Sequence, residues 1–156
     1  MVQTLYLLLK TARPRQWLKN LAVYAALVFS GFFFYDWPNY FIQVTLAFFL
    51  FCGLSSSVYI INDIVDRKAD RKHPYKKKRP LASGALSVPL AALTAIIGIT
   101  GVFLVSAQVS LFLLLIMLSY LVLQVSYSFY LKHIAILDVL SIAAGFILRV
   151  YAGAIV

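Results

Sequence analysis

The chain has 156 residues, 63% of them hydrophobic and only 12% charged, whereas ordinary globular domains are about half apolar and a quarter charged. With a mean hydropathy of +0.91, it is excluded as a soluble globular domain, a disordered chain or a soluble secreted protein, and falls in the membrane class. Lys and Arg number 14 against five acids, all of them Asp, for a net charge of +9. Because the basic residues flank apolar stretches, the anions they meet are phospholipid headgroups or phosphate-bearing substrates, not nucleic acid.

In chain order, the apolar stretch Leu5 to Leu9 is too short for a cleavable signal peptide and its basic cluster follows it, so this first helix stays attached. Apolar segments at 20–36, 40–62, 88–106, 110–131 and 134–156 then predict an all-α, multispanning transmembrane bundle of about five helices, each long enough for a hydrocarbon core of about 30 Å. They are separated by Asp36-Trp37-Pro38-Asn39, the polar stretch Asp63 to Ser87, Ala107-Gln108-Val109 and Lys132-His133. Cys52, the single cysteine, lies inside the second span and has no intrachain partner, which makes it a packing residue.

Charge sets the sidedness. Lys10, Arg13, Arg15 and Lys19 precede span one, eight basic residues from Arg67 to Arg79 lie between spans two and three, and Lys132 lies between four and five. All three places fall on one side, so the positive-inside rule predicts a cytoplasmic N-terminus in a plasma or inner membrane, with Arg149 the one basic residue left within a span. Trp17, Trp37 and Tyr40 are predicted interfacial anchors. Residues 1–156 form one membrane domain with a cytoplasmic loop at about 63–87, and an odd number of spans ending in Gly153-Ala154-Ile155-Val156 predicts part of a longer chain.

The chemistry concentrates in Asn62-Asp63-Ile64-Val65-Asp66-Arg67-Lys68-Ala69-Asp70, which holds three of the five acids. On one helix Asp63, Asp66 and Asp70 fall within an arc of about 60°, bordered by Asn62. Like charges so placed repel and call for a cation. Carboxylate and amide oxygens suit Mg²⁺, which completes its shell with water and substrate phosphates, so a diphosphate is the natural partner and the basic loop supplies further donors to it. The bland competitor is a solvated helix end whose acids pair with Arg67, Lys68 and Arg71.

At these residues the sequence resembles the UbiA superfamily of intramembrane prenyltransferases, whose first acidic motif reads N-D-x-x-D-x-x-x-D. The flanks Arg13-Pro14-Arg15-Gln16-Trp17-Leu18-Lys19-Asn20, His73-Pro74 and Arg79-Pro80-Leu81-Ala82-Ser83-Gly84 look like its decaprenyl-phosphate phosphoribosyltransferase branch. The resemblance implies Mg²⁺ held by Asn62, Asp63, Asp66 and Asp70, with the three aspartates catalytic and Arg13, Lys19, Asn62 and Arg79 binding substrate. It implies transfer of phosphoribosyl from phosphoribosyl pyrophosphate to a polyprenyl phosphate lipid, in cell-envelope precursor synthesis, the lipid phosphate oxygen itself being the nucleophile. It also implies a bundle of about nine spans with a second acidic motif, neither of which this chain contains. Relatives carry Y-x-x-x-K after span four, whereas Tyr127 and Lys132 are one residue further apart; Lys132 is then either a phosphate ligand or a positive-inside anchor.

Two rival functions remain at this level. One keeps the metal cluster but moves a prenyl group from prenyl diphosphate to an aromatic ring, as in quinone synthesis; the other is a non-catalytic membrane subunit or transporter half. Among weaker signals, Asp138, Gly145 and Arg149 share a face of span five, with the two charges about 16 Å apart along the axis. Arg149 is either functional or snorkels to the outer face, and Asp138 either faces the cluster or bonds Lys132 or His133. His73 shapes the loop, Lys76-Lys77-Lys78 binds anionic lipid, and Gly98, Gly101, Gly145 and Gly153 permit close helix approach.

Overall fold

In hydrocarbon an open apolar segment can satisfy its backbone only by coiling into a helix, and among the described residues every regular element is helical. The computed structural model describes residues 2–31 and 37–156, the side chains of residues 37 and 38 excepted. The end of predicted span one, residue 36 and the Trp37 side chain expected as an anchor lie outside the described residues, and the rest of the 36–39 connection is the first turn of α3. The elements are α1 (Val2–Ala12), a 3₁₀ helix (Pro14–Tyr24), α2 (Ala25–Ser30), α3 (Trp37–Val65), α4 (Arg67–Lys72), a 3₁₀ turn (Lys76–Lys78), α5 (Pro80–Ser83), α6 (Val88–Val109), α7 (Leu111–Phe129), a second 3₁₀ turn (Leu131–His133) and α8 (Ala135–Ile155).

Among the described residues four helices are long and apolar enough to cross a membrane: α3, α6, α7 and α8. The break expected at 107–109 falls instead at Ser110, because the Ser110 hydroxyl accepts the Phe112 N–H at 3.2 Å and caps α7. Predicted span one differs more. It is not one α-helix from residue 20; the helical path starts at Pro14 and runs as 3₁₀ helix to Tyr24. A 3₁₀ helix stacks every third residue, which puts Trp17, Asn20 and Val23 in one row against α3. Trp17 Nε1 donates to Ser56 Oγ at 2.9 Å, Asn20 Nδ2 reaches Cys52 Sγ and Ser55 Oγ at 3.3 Å each, and Val23 is fully buried. Trp17 is therefore tied to α3 through its indole N–H.

The central helix is α3, 56% buried over its most apolar stretch, against 17% for α6 and 22% each for α7 and α8. The main core joins Phe51 and Leu54 of α3 to Leu113, Met117 and Tyr120 of α7. Facing outward, Leu93, Ile96 and Ile97 on α6 and Ile136, Val139 and Leu140 on α8 are exposed, as a lipid-facing surface requires. Gly153 is needed where α8 crosses the 3₁₀ helix, since a Cβ there would collide with the Val23 carbonyl oxygen, whereas Gly101 faces open space and supports no close approach.

The segment 63–87 is helical for much of its length instead of an open loop. Leu81 and Leu86 pack with Ile60, Ala91 and Ala95 and with Leu7 and Leu8 of α1, while Arg67 Nε and Arg71 Nε donate to the Leu81 and Ala82 carbonyls at 3.1 and 3.0 Å. His73 Nδ1 accepts the Tyr75 and Lys76 N–H groups, the loop-shaping role expected for it. These contacts bring Arg79 back over the end of α3.

Candidate active site

The acidic motif crosses the end of α3. Asp66 (φ −79°, ψ −3°) interrupts the helix between Val65 and Arg67, yet the Asp66 N–H still donates to Asn62 O and the Asp70 N–H to Asp66 O, at 2.9 and 2.8 Å. The three carboxylates do not share one cation but divide between two sets of partners. Arg79 Nη1 bridges Asp63 Oδ1 at 3.2 Å and Asp70 Oδ2 at 2.7 Å, and Arg13 Nη2 adds a bond to Asp63 Oδ1 at 2.5 Å. Asp66 instead receives Lys132 Nζ on Oδ1 at 2.6 Å and Asn62 Nδ2 on Oδ2 at 3.2 Å.

Three carboxylates thus meet three cations drawn from distant parts of the chain. The pairing with Arg67, Lys68 and Arg71 that a solvated helix end requires does not occur: Arg67 and Arg71 hold backbone carbonyls and Lys68 is exposed. Asp63 and Asp70 are almost fully buried, and buried carboxylates persist only where cations or donors match them. Arg13 has a left-handed backbone (φ 53°) at the joint between α1 and the 3₁₀ helix, a conformation that costs a non-glycine residue about 1–2 kcal/mol. Its ion pair with Asp63 and its stacking over the Tyr59 ring at 5.0 Å hold it there.

Arg13 also stands between two cavities. The larger, about 310 Å³, is lined by Gln16 and Lys19 of the 3₁₀ helix, Tyr59 and Asn62 of α3, Tyr120, Gln124, Tyr127 and Ser128 of α7, and Ser141, Phe146 and Arg149 of α8. The smaller, about 250 Å³, is lined by Lys10, Arg13, Asp63, Tyr75, Lys78 and Arg79. Of the residues singled out from sequence, Arg13, Lys19 and Asn62 reach the larger cavity and Arg79 and Asp63 the smaller. Asp66 joins the first wall through Asn62, Asp70 joins the second through Arg79, and Lys132 joins through Asp66. The polar stripe Tyr120, Gln124 and Ser128 escaped the sequence reading, although its four-residue spacing inside an apolar span is itself a signal.

Among the described residues no three His, Cys, Asp or Glu side chains converge as a metal cluster, and Asp63, Asp66 and Asp70 each carry a cation. The donor set nevertheless fits Mg²⁺ chemically. It is all oxygen, it includes the partly exposed Asp66, and a Mg²⁺ site typically takes one or two carboxylates and leaves the rest of its shell to water and phosphate.

Residues 21–156 match the UbiA prenyltransferase family. The chain belongs to this family. It is 40% identical over 155 residues to a decaprenyl-phosphate phosphoribosyltransferase of Mycolicibacterium smegmatis, covering 95% of this chain and 47% of that protein. It is 38% identical to the decaprenyl-phosphate phosphoribosyltransferase of Corynebacterium glutamicum, covering 95% and 45%. The solved structure of a UbiA homologue from Archaeoglobus fulgidus bound to DMAPP and Mg²⁺ is 28% identical, with a TM-score of 0.74, covering 94% of this chain and 53% of that one. The chain therefore spans about half the length of the relatives it matches, and as a UbiA family member with four membrane-length apolar helices it is an integral membrane protein.

In this UbiA chain Arg149 does not snorkel. It is 6% exposed and donates to Asn20 Oδ1, Gly145 O and Tyr120 Oη at 2.8, 2.7 and 2.8 Å. Asp138 does not pair with Lys132, which is held by Asp66, and its Oδ1 is buried without a hydrogen-bond partner.

Proposed function

We propose that the full-length protein transfers phosphoribosyl from phosphoribosyl pyrophosphate to a polyprenyl phosphate lipid, with Mg²⁺ as cofactor, at the cytoplasmic face of the plasma or inner membrane, in cell-envelope precursor synthesis. The observation that carries this reading is the polar, cation-lined cavity running from Asn62 to Arg149 between α3, α7 and α8. A phosphorylated sugar matches such walls; an isoprenoid tail does not. The names of the two phosphoribosyltransferase relatives support the same choice.

In this mechanism Asn62, Asp63, Asp66 and Asp70 hold the metal, and Arg13, Lys19, Arg79 and Lys132 bind phosphate oxygens. Bound Mg²⁺ supplies charge neutralisation that makes the diphosphate a better leaving group. On substrate binding, Arg13, Arg79 and Lys132 would turn their N–H groups from carboxylate to phosphate, freeing the aspartates for the metal. The acceptor's phosphate oxygen attacks the anomeric carbon as pyrophosphate departs, so the protein's part is to position both substrates and match their charge. No protein nucleophile is needed.

Radiolabelled phosphoribosyl pyrophosphate and polyprenyl phosphate, incubated with membranes holding the full-length protein, test this. A Mg²⁺-dependent lipid product lost in Asp66→Ala is expected; no product from folded protein overturns the reading. The A. fulgidus homologue bound to DMAPP favours a second one, prenyl transfer to an aromatic acceptor, and labelled prenyl diphosphate with a hydroxybenzoate decides it.

A further inference from the structure

Among the described residues Arg149 is the one buried cation that the aspartate cluster does not use. A guanidinium has five N–H donors. Three of them reach Asn20 Oδ1, Gly145 O and Tyr120 Oη, all neutral acceptors, so two donors remain and no carboxylate among the described residues pairs with the charge. The faces of Tyr120, Phe146 and Phe51, at 4.9, 5.4 and 5.8 Å, hold the guanidinium in place. A charge buried in a membrane protein without a counter-charge is costly, and such residues mark sites where an ion or ligand arrives.

The guanidinium lines the larger cavity, beside Gln124 and Ser141. It packs at the level of Phe51, and twelve residues of α3 separate Phe51 from Asp63, about 18 Å along the axis. A diphosphate seated at the aspartates does not extend that far. We infer that Arg149 forms a second anion site, at the deep end of the cavity, which takes a phosphate monoester group of a substrate. Its ligand's identity rests on the transferase reading: either the terminal 5-phosphate of the sugar donor or the phosphate of the lipid acceptor. A prenyl diphosphate has no such second anion, so the site also acts as a filter on the donor.

The test measures equilibrium binding to the purified full-length protein of ribose 5-phosphate, ribose, a short-chain polyprenyl phosphate and Mg²⁺-pyrophosphate, in wild type, Arg149→Gln and Arg149→Lys. In Arg149→Gln, binding of one phosphate monoester is expected to weaken by about 10- to 100-fold, the effect of losing a charge-assisted bond pair, with Mg²⁺-pyrophosphate changed by less than about threefold and Arg149→Lys recovering part of the loss. Weakened ribose 5-phosphate binding assigns the donor; weakened polyprenyl phosphate binding assigns the acceptor. Wild-type protein that binds ribose as well as ribose 5-phosphate and ignores polyprenyl phosphate, or an Arg149→Gln protein that keeps both affinities, overturns the inference. Should Arg149→Gln fail to fold, Gly145→Ala decides by the same ligands, because its Cβ would press on Arg149 Nη1 at 3.3 Å and Gln124 Nε2 at 3.5 Å. A threefold or greater loss supports the site and unchanged binding overturns it. A wild-type protein that binds a phosphate monoester through Arg149 yet transfers nothing sinks the transferase reading and leaves this one standing.

Discussion

Lys132 Nζ lies 2.6 Å from Asp66 Oδ1, joining residues 66 positions apart and fastening the turn after α7 to the break between α3 and α4. Both side chains are partly exposed, so the pair itself adds less than about 1 kcal/mol to stability. Function and stability are therefore expected to separate here. Lys132→Met should cut transfer by about 10- to 100-fold and Asp66→Ala by about a thousandfold or more, while thermal unfolding of either variant stays near wild type. Labelled-lipid formation and a melting curve on the same preparations check this; parallel loss of both would make the pair structural.

Arg79 serves two carboxylates at once, Asp63 and Asp70. In the proposed mechanism Arg79→Met removes a cation that competes with metal but also a donor to phosphate. Titration calorimetry of the full-length variant is expected to show Mg²⁺ binding tightened in the absence of pyrophosphate, and pyrophosphate binding weakened about tenfold. Unchanged values for both ligands would remove Arg79 from the site.

Asn20 is fully buried and connects the 3₁₀ helix to α3 and α8 through Ser55, Cys52 and Arg149. Asn20→Leu leaves Arg149 Nε without its acceptor. A loss of about 2–3 kcal/mol is expected, the cost of stranding a buried charged donor, measurable as a lower unfolding midpoint in detergent.

The two glycines Gly153 and Gly101 make a matched control. Gly153→Ala sets a Cβ against the Val23 carbonyl, and backbone cannot rotate away as a side chain can, so a destabilisation of about 1–3 kcal/mol is expected. Gly101→Ala meets nothing within 4 Å and should stabilise slightly through helix propensity. Equal melting temperatures would contradict the close crossing at Val23.

Sidedness is tested by a cysteine placed at the exposed Lys77, against a silent background because Cys52 is buried. With an N-terminus in the cytoplasm, a membrane-impermeant maleimide should label it in inverted vesicles and not in intact cells.

The acidic motif, the four long helices and the basic segment were legible in the sequence because each is local: hydropathy over about 20 residues, or spacing within two helical turns, fixes them. Two expectations failed where a longer-range partner decides. Residues 20–24 read as the start of an α-helical span, yet residues 14–24 coil at three residues per turn, which aligns Trp17, Asn20 and Val23 on α3, and no pattern within the segment itself announces those partners. Asp63, Asp66 and Asp70 read as one acidic face awaiting a single cation, yet Arg13 and Arg79 meet Asp63 and Asp70 while Lys132 meets Asp66, partners that lie elsewhere in the chain.

What the amino-acid order determined by itself is therefore the membrane class, the helical elements and the identity of the charged residues, since apolar length and residue chemistry need no tertiary partner. The tertiary structure alone decided which cation meets which carboxylate, and whether Arg149 reaches the outer surface or the cavity. Those outcomes depend on helices that meet only after packing, where the cost of burying a charge selects the pairing that satisfies it.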